Sequence, residues 1–272
     1  MTDAWEWDPS LYSGSAAYYA RGRAAYPPEL AAAFATELGL DGSGRLLDVG
    51  CGPGSLTLLL AGSFEEAVGL DADADMLAEA SRLASGVRNC RWVQRRAEEL
   101  PAGLGRFRLV TFAQSFHWFD RPRVAAAVRG MLTEDGVCAH VHATTHQGVD
   151  ESAPHTAITE LVRSYLGPVR RAGRGALPGG TAGGEAEIYR AAGFRGPHRF
   201  EVGGRVITRT ADEVVASVFS LSSATPHLFG DRRAAFEADL RALLRRVSPE
   251  GTFTERLREI AVDLWRPLTK GC

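Results

Sequence analysis

The chain has 272 residues, 31 Lys+Arg against 33 Asp+Glu, a formal charge of -2, and 45% hydrophobic against 24% charged residues. This is the composition of a globular protein with room for one large domain or two small ones, and the charge balance argues against a nucleic-acid binder held by phosphate contacts. No apolar run approaches the roughly 18 residues of a membrane span.

The first ten residues, MTDAWEWDPS, are acidic and aromatic and lack the basic-then-apolar order of a secretory leader. Aromatics continue through Tyr12, Tyr18, Tyr19 and Tyr26. Pro27 and Pro28 then open a helix over about 29–39, with proline suited to its first turn. A short apolar strand follows at 45–49 and runs directly into glycines. Residues 55–61 read as a helix, 67–70 as a second buried strand, and 73–84 as a helix with acids in its first turn, where the helix dipole favours them. Strands at 91–94 and 107–112, a helix at 122–132 capped by Asp120, and a strand at 136–143 continue the alternation. Such alternation implies a parallel sheet covered on both faces.

The second half is less regular. Residues 166–184 are glycine-rich and hold Arg170, Arg171 and Arg174. A loop this long inside a compact domain is a functional lid or lacks order. A helix at 185–192 stops at Gly193, and 200–207 reads as a strand. Thr210 with Glu213 has capping-box spacing, so a helix starts at Ala211. Phe236, Leu240, Leu243, Leu244 and Val247 form a helical stripe, and 257–265 alternates as a last strand.

Several chemistries are disfavoured. Lys270 is the only lysine, so there is no phosphate loop of the G-x-x-x-x-G-K type and no credible Schiff-base lysine. Cys51, Cys90, Cys138 and Cys272 show no zinc-site spacing and read as reduced thiols of a cytoplasmic protein. Zinc-protease and serine-hydrolase motifs are absent.

The informative stretch is Leu46 to Thr57, where a strand ends at Val49 and Gly50, Gly52 and Gly54 make the turn into a helix. Glycines let the backbone approach a ligand, and the helix N-terminus presents free N–H groups. Dinucleotide enzymes use G-x-G-x-x-G, whereas this chain reads G-x-G-x-G, with Asp48 two residues ahead. Asp71 ends the second strand, where a carboxylate can accept both hydroxyls of a ribose. Met76, Trp92 and Ala97 offer an apolar slot for a purine. Glu98 follows the third strand, and Gln114, Ser115, His117 and Trp118 follow the fourth, at the sheet edge where open α/β folds bind ligands.

In combination these segments resemble the class I S-adenosylmethionine (SAM)-dependent methyltransferases. The resemblance rests on L-L-D-V-G-C-G-P-G, G-L-D-x-x-x-x-M, R-A-E-E-L-P, F-R-L-V-T-F-A-Q-S-F-H-W-F-D and G-M-L-T-E-D-G. It covers about 45–145 and is nearest the small-molecule branch that includes trans-aconitate methyltransferase-like proteins. It implies a Rossmann-like α/β fold: a seven-stranded mixed sheet of order 3-2-1-4-5-7-6, with helices on both faces and a helical cap. The expected organisation is an N-terminal arm and helix over the cofactor (1–44), a SAM-binding core (45–145), a lid loop (146–184), and a C-terminal part of the core (185–272) carrying cap helices at about 211–250.

For the site, the resemblance implies that Gly50, Cys51, Gly52 and Gly54 hold the methionine part of SAM. Asp48 orders that loop, and Asp71 and Ala72 take the ribose. Met76, Ala97 and Glu98 meet the adenine, and Gln114 and Ser115 flank the sulfonium. Relatives fold an aromatic arm over the cofactor, which puts Tyr19 and Arg23 near its carboxylate. One departure is Arg95-Arg96, where many relatives have Gly-Asp ahead of the residue matching Ala97. The aspartate contact to the adenine amine is then missing, and a backbone contact near Ala97 or Glu98 is expected instead. The Asn/Asp-Pro-Pro-aromatic pattern of exocyclic-amine methylation is absent, against DNA or glutamine N-methylation.

His117 and His146 stand at or beyond the ends of strands four and five and are the candidate general bases. Trp118 and His227 are candidate substrate contacts, with core packing the competing reading for Trp118. His140 and His142 share a strand face without an evident carboxylate or thiolate partner, so no metal site is expected. The Arg170, Arg171 and Arg174 cluster reads as a solvated loop or a binder of an acidic substrate. The expected activity is methyl transfer from SAM, yielding S-adenosylhomocysteine (SAH), to an oxygen or nitrogen of a small molecule such as a secondary metabolite or carboxylic acid. The rivals are a SAM-dependent rearrangement, a non-catalytic SAM-binding module and an NAD(P)-dependent oxidoreductase. Nucleic-acid and membrane partners are not expected, and a homo-oligomer is left open.

Overall fold

A computed structural model describes residues 8–149, 154–169, 171–172, 175–176 and 183–268. Arg170 and Arg174 lie outside the described residues. Five strands, β1 (Arg45–Val49), β2 (Glu66–Asp71), β3 (Cys90–Gln94), β4 (Phe107–Ala113) and β5 (Leu132–His142), run parallel to their neighbours. Two later strands, β6 (Phe194–Val202) and β9 (Ile260–Pro267), complete the sheet antiparallel, in the order β3-β2-β1-β4-β5-β9-β6. Counting only the strands of this sheet, that is the expected order.

Alternate residues of each strand enter opposite cores, as the period of two requires. Leu46, Leu109 and Ala139 pack with Leu30 and Phe34 of α2 (Pro28–Leu38) and Leu56 and Leu60 of α3 (Ser55–Leu60). Leu47, Val110 and Cys138 face the other way, toward Val124 and Val128 of α5 (Arg121–Met131) and Tyr189 of α7 (Glu185–Ala191). The Asp120 side chain accepts from the Arg123 N–H, so this acid does cap α5. Between β2 and β3 runs α4 (Ala74–Leu83), capped by Asp73, which accepts from the N–H groups of Asp75 and Met76.

A third core belongs to the cap. It joins Ile158 of α6 (His155–Leu166), Val214, Val218 and Phe219 of α8 (Ala211–Phe219), and Phe236, Leu240 and Leu244 of α9 (Arg233–Val247). An antiparallel ribbon of β7 (Val206–Thr210) and β8 (Thr252–Arg256) carries these helices. Thr210 and Glu213 form both bonds of the expected capping box at the start of α8.

The structure departs from the sequence reading in four places. The strand expected over 200–207 is two strands, one in the main sheet and one in the ribbon, parted at Gly203-Gly204. Adding a Cβ at Gly204 would bring it 2.3 Å from the Leu257 carbonyl oxygen, so the chain crosses there backbone against backbone. The segment 146–184 is not a plain loop, because α6 occupies its middle. The strand expected over 257–265 begins only at Ile260, and Thr252–Arg256 pairs instead with β7. The N-terminal arm holds a helix, α1 (Ala16–Gly22), that composition did not signal.

Helix α1 packs on α8 at its glycine: a Cβ on Gly22 would lie 2.3 Å from the Ala216 carbonyl carbon and the Ser217 nitrogen. Ser15 Oγ donates to the Phe219 carbonyl, and Arg209 to the Gly22 carbonyl, at 2.8 Å each. The arm is thereby fastened between the sheet edge and the cap.

Candidate functional site

The loop after β1 turns through three residues of positive φ: Gly50 (69°), Gly52 (53°) and Gly54 (79°). A side chain is excluded there by contact as well as by conformation. At Gly50 a Cβ would meet the Ser115 Cβ at 2.6 Å, and at Gly54 the Trp92 ring at 2.4 Å. At Gly52 nothing stands within 4 Å of the Cβ position, so this residue opens onto space.

Two acids hold the loop. Asp48 is buried and accepts from Thr57 Oγ1 (2.7 Å) and Thr111 Oγ1 (2.8 Å), which joins β1 to α3 and β4. Burial raises its carboxyl above the ordinary carboxylate range. At the tip of β2, Asp71 Oδ2 accepts from the Gly52 N–H (2.8 Å) and Oδ1 from the Asp73 N–H (2.9 Å). Desolvation pushes its carboxyl up to about 6, against the opposing pull of these N–H groups.

A cleft of about 660 Å³ lies against this loop. It brings together Tyr19, Gly50, Gly52, Asp71, Ala72, Met76, Ala97, Glu98, Gln114, Ser115 and Trp118 from the sequence-derived set. Gln114 adopts φ 56°, a left-handed conformation rare for a side-chain-bearing residue. Ser115 Oγ donates to the Val49 carbonyl at 2.6 Å, tying the ends of β1 and β4 together. Glu98 accepts from the Asp120 N–H at 3.0 Å. The cleft also takes in Phe119, together with Tyr12, Arg95 and Arg96, which sequence reasoning did not assign to the site. Tyr12 sets its ring edge-on to Tyr19 and Trp118 at 6.3 and 6.2 Å, and burial raises its phenol, which stays neutral. The aromatic density of the arm was the available signal for Tyr12. The two arginines stand where the departure from the family pattern was noted.

Other expected residues do not line this cleft. Asp48, Cys51 and Gly54 build the loop from behind. The Cys51 thiol is buried, and its pKa is raised by that burial and by the two neighbouring acids, so it is a filler and no nucleophile. Trp92, expected in a purine slot, instead packs on the Cβ sides of Gly54 and Gly69. Arg23 lies one layer back: its guanidinium sits 4.7 Å from the Tyr19 ring centre and donates to Ser220 Oγ (2.8 Å) and the Ser220 carbonyl (3.0 Å). His227 hydrogen-bonds Thr225 Oγ1 and the Ser13 carbonyl and lines neither this cleft nor the cavity beneath α6 and α8.

The two candidate bases separate. His117 is outside the cleft, with its ring 4.6 Å from that of Trp118. His146 follows β5, has Nδ1 3.4 Å from an Arg23 guanidinium nitrogen, and lines a second cavity beneath α6 and α8. His140 and His142 stack face to face at 4.5 Å. Contrary to expectation His142 has a carboxylate partner, Asp263, at 3.0 Å, which Arg199 also holds. Burial lowers the His140 pKa to about 3, leaving it neutral. Among the described residues no group of histidines, cysteines and acids is arranged to hold a metal ion, and no helix is long and apolar enough to cross a membrane.

Residues 46–136 match the profile of a methyltransferase domain. The uncharacterised methyltransferase YcgJ of Bacillus subtilis is 36% identical over 95 residues, which are 34% of this chain and 38% of that protein. The chain thus matches well under half the length of this curated relative. The crystal structure of a Bacillus subtilis YcgJ protein superposes with a TM-score of 0.51 at 18% identity, over 89% of this chain and 99% of that one. A protein of Anaeromyxobacter dehalogenans assigned as a type II methyltransferase gives 0.52 at 22% identity, over 89% and 95%. At these identities the two structures show a shared fold.

Proposed function

Since the chain carries a class I SAM-dependent methyltransferase domain, we propose that the protein methylates an oxygen or nitrogen of a small molecule. The observation that carries the reading is Asp71. Its carboxylate sits in the cleft wall, bonded to the Gly52 N–H, beside a glycine that leaves room for a ligand. The cleft's donor set fits SAM: a carboxylate for ribose hydroxyls, Met76 and Ala97 for a purine face, and a glycine loop for the methionine moiety.

When bound, SAM supplies an electrophilic methyl group; the acceptor's electron pair forms the new bond as the sulfur–methyl bond breaks, leaving SAH. The protein's share is positioning and exclusion of water, worth up to about 7–11 kcal/mol in well-oriented reactions. Gln114 and Ser115 hold the sulfonium end, and Tyr12, Tyr19, Trp118 and Phe119 close the cleft from above. Arg23, behind Tyr19, balances the donor's carboxylate. His146 accepts the proton of a hydroxyl or ammonium acceptor, whereas a carboxylate acceptor needs no base. His117 is set aside as base because it lines neither the cleft nor the second cavity, whereas His146 lines the second. The reading carries with it a cytoplasmic enzyme whose partner is a metabolite, in keeping with free thiols at Cys51, Cys90 and Cys138.

Calorimetric titration with SAM, SAH and NAD tests it. Micromolar binding of both adenosyl compounds, lost in Asp71→Ala, is the expected result. An acceptor screen by mass should then show a gain of one methylene; unchanged mass would mean rearrangement. Binding of NAD alone would overturn the reading.

A further inference from the structure

The second cavity is larger than the cleft, about 1210 Å³ with its mouth included. Its walls come from the cap: Ile158, Val162 and Leu166 on one face of α6, and Val214, Val218 and Leu221 on and beyond α8. The spacing of four residues puts Ile158, Val162 and Leu166 on one face of α6 and Val214 and Val218 on one face of α8. Its polar side is made by His146, Ser217, His155, Arg209 and Glu255.

The charges around it are unevenly matched. Glu255 is buried and already answered twice, by Arg209 at 2.6 Å and His155 at 3.0 Å. These partners hold its carboxyl below the usual range, so it stays ionised. Two guanidiniums are not answered by any carboxylate among the described residues. Arg163 stands exposed at the rim on α6, and the half-buried Arg23 is held by the Ser220 hydroxyl, the Ser220 carbonyl, His146 and the face of Tyr19. A rim guanidinium without a carboxylate partner can pair with an anionic guest through charge-assisted hydrogen bonds.

The cavity is not remote from the cleft. Tyr19 lines one and His146 the other, and Arg23 lies between them, 4.7 Å from the first ring's centre and 3.4 Å from the second ring.

We propose that this cavity is the acceptor chamber and that it takes amphipathic small molecules, with an apolar ring or branched body and one anionic group. The body lies between α6 and α8, the anion at Arg163, and the methyl-accepting atom at the His146 end. The proposal rests on the methyl-transfer reading, and its test separates the two.

The probes are 8-anilinonaphthalene-1-sulfonate, an apolar body with one sulfonate, and the neutral N-phenyl-1-naphthylamine. Each is titrated by fluorescence into the full chain with and without SAH. Both probes should saturate one site in either condition. Thr159→Trp, at an exposed position on the cavity wall, should weaken both by at least about tenfold. Calorimetric SAH binding should be unchanged. Arg163→Ala should weaken only the sulfonate probe, by about tenfold.

Equal binding to wild type and Thr159→Trp, or displacement of the probes by SAH, would overturn the chamber. Equal loss of both probes in Arg163→Ala would overturn the anionic class. Because the probes are also read without SAH, a protein that fails to bind SAH refutes the donor reading and leaves the test of the cavity standing.

Discussion

On the proposed reading Asp71 meets a ribose as a carboxylate, yet its surroundings make it reluctant to ionise. Its carboxyl, at about 6, stands above the ordinary aspartate value of 3.8. An acid whose native pKa lies above its unfolded value binds protons more tightly when folded. The protein without ligand therefore gains stability as pH falls from about 7 toward about 4, and loses it as pH rises through about 6. Wild-type stability in urea should fall between about pH 5 and pH 7.5, and Asp71→Asn, which cannot titrate, should lack this part of the fall. The same variant should bind SAH about 10–100-fold more weakly, as expected when charge-assisted hydrogen bonds are lost. A variant that keeps the wild-type pH dependence and is unchanged in affinity would refute the role given to this carboxylate. Gly54 makes a second residue-scale test. Its φ of 79° and the Trp92 ring 2.4 Å from the Cβ position leave alanine no relaxed option. Gly54→Ala should lower stability by ~1–3 kcal/mol in urea titration and weaken SAH binding.

The ribbon β7–β8 holds the cap through one buried ion pair. Arg209 and Glu255 are almost wholly enclosed, and Glu255 also accepts from Gly148 and contacts His155 at the start of α6. Removing one partner strands the other without water, which costs about 3–5 kcal/mol. Glu255→Ala should show that loss in urea. Its hydrogen exchange should rise first in α6 and the ribbon and leave β1, β2 and β4 protected. Uniform exchange across the sheet would mean that the cap is not a separable unit. The ribbon is also where the sequence was least legible. Thr210 and Glu213 announced α8 because capping chemistry is local. The strand over 200–207 was misjudged because Phe200 and Ile207 belong to different sheets, and pairing partners 46 residues apart, such as Thr208 and Thr254, leave no local mark. Helix α1 escaped notice for the same reason: Gly22 is there for contact with α8, whereas a glycine at a helix end ordinarily reads as a stop.

At the scale of the molecule, the parallel half of the sheet was readable because each strand is short, apolar and followed by its own punctuation: glycines after β1, Asp71 after β2, Gln114-Ser115 after β4. The cleft inherits that legibility, since its floor is made from those punctuating residues. Its roof is legible only in part: the resemblance pointed to Tyr19 and Arg23, but Tyr12 was not assigned and Arg23 stands one layer behind the cleft, an arrangement set by the docking of α1 on α8. A ligand spanning floor and roof joins parts that are distant in the chain, so binding should stabilise the whole more than it stabilises either part. Ligand at a hundredfold excess over its dissociation constant adds about 2.7 kcal/mol, which for a chain of this size raises Tm by roughly 5–10 °C. SAH should produce that rise in a single cooperative transition by scanning calorimetry, NAD should produce none, and Asp71→Ala should abolish it. A rise confined to one of two resolved transitions would mean that floor and roof do not close on a common ligand.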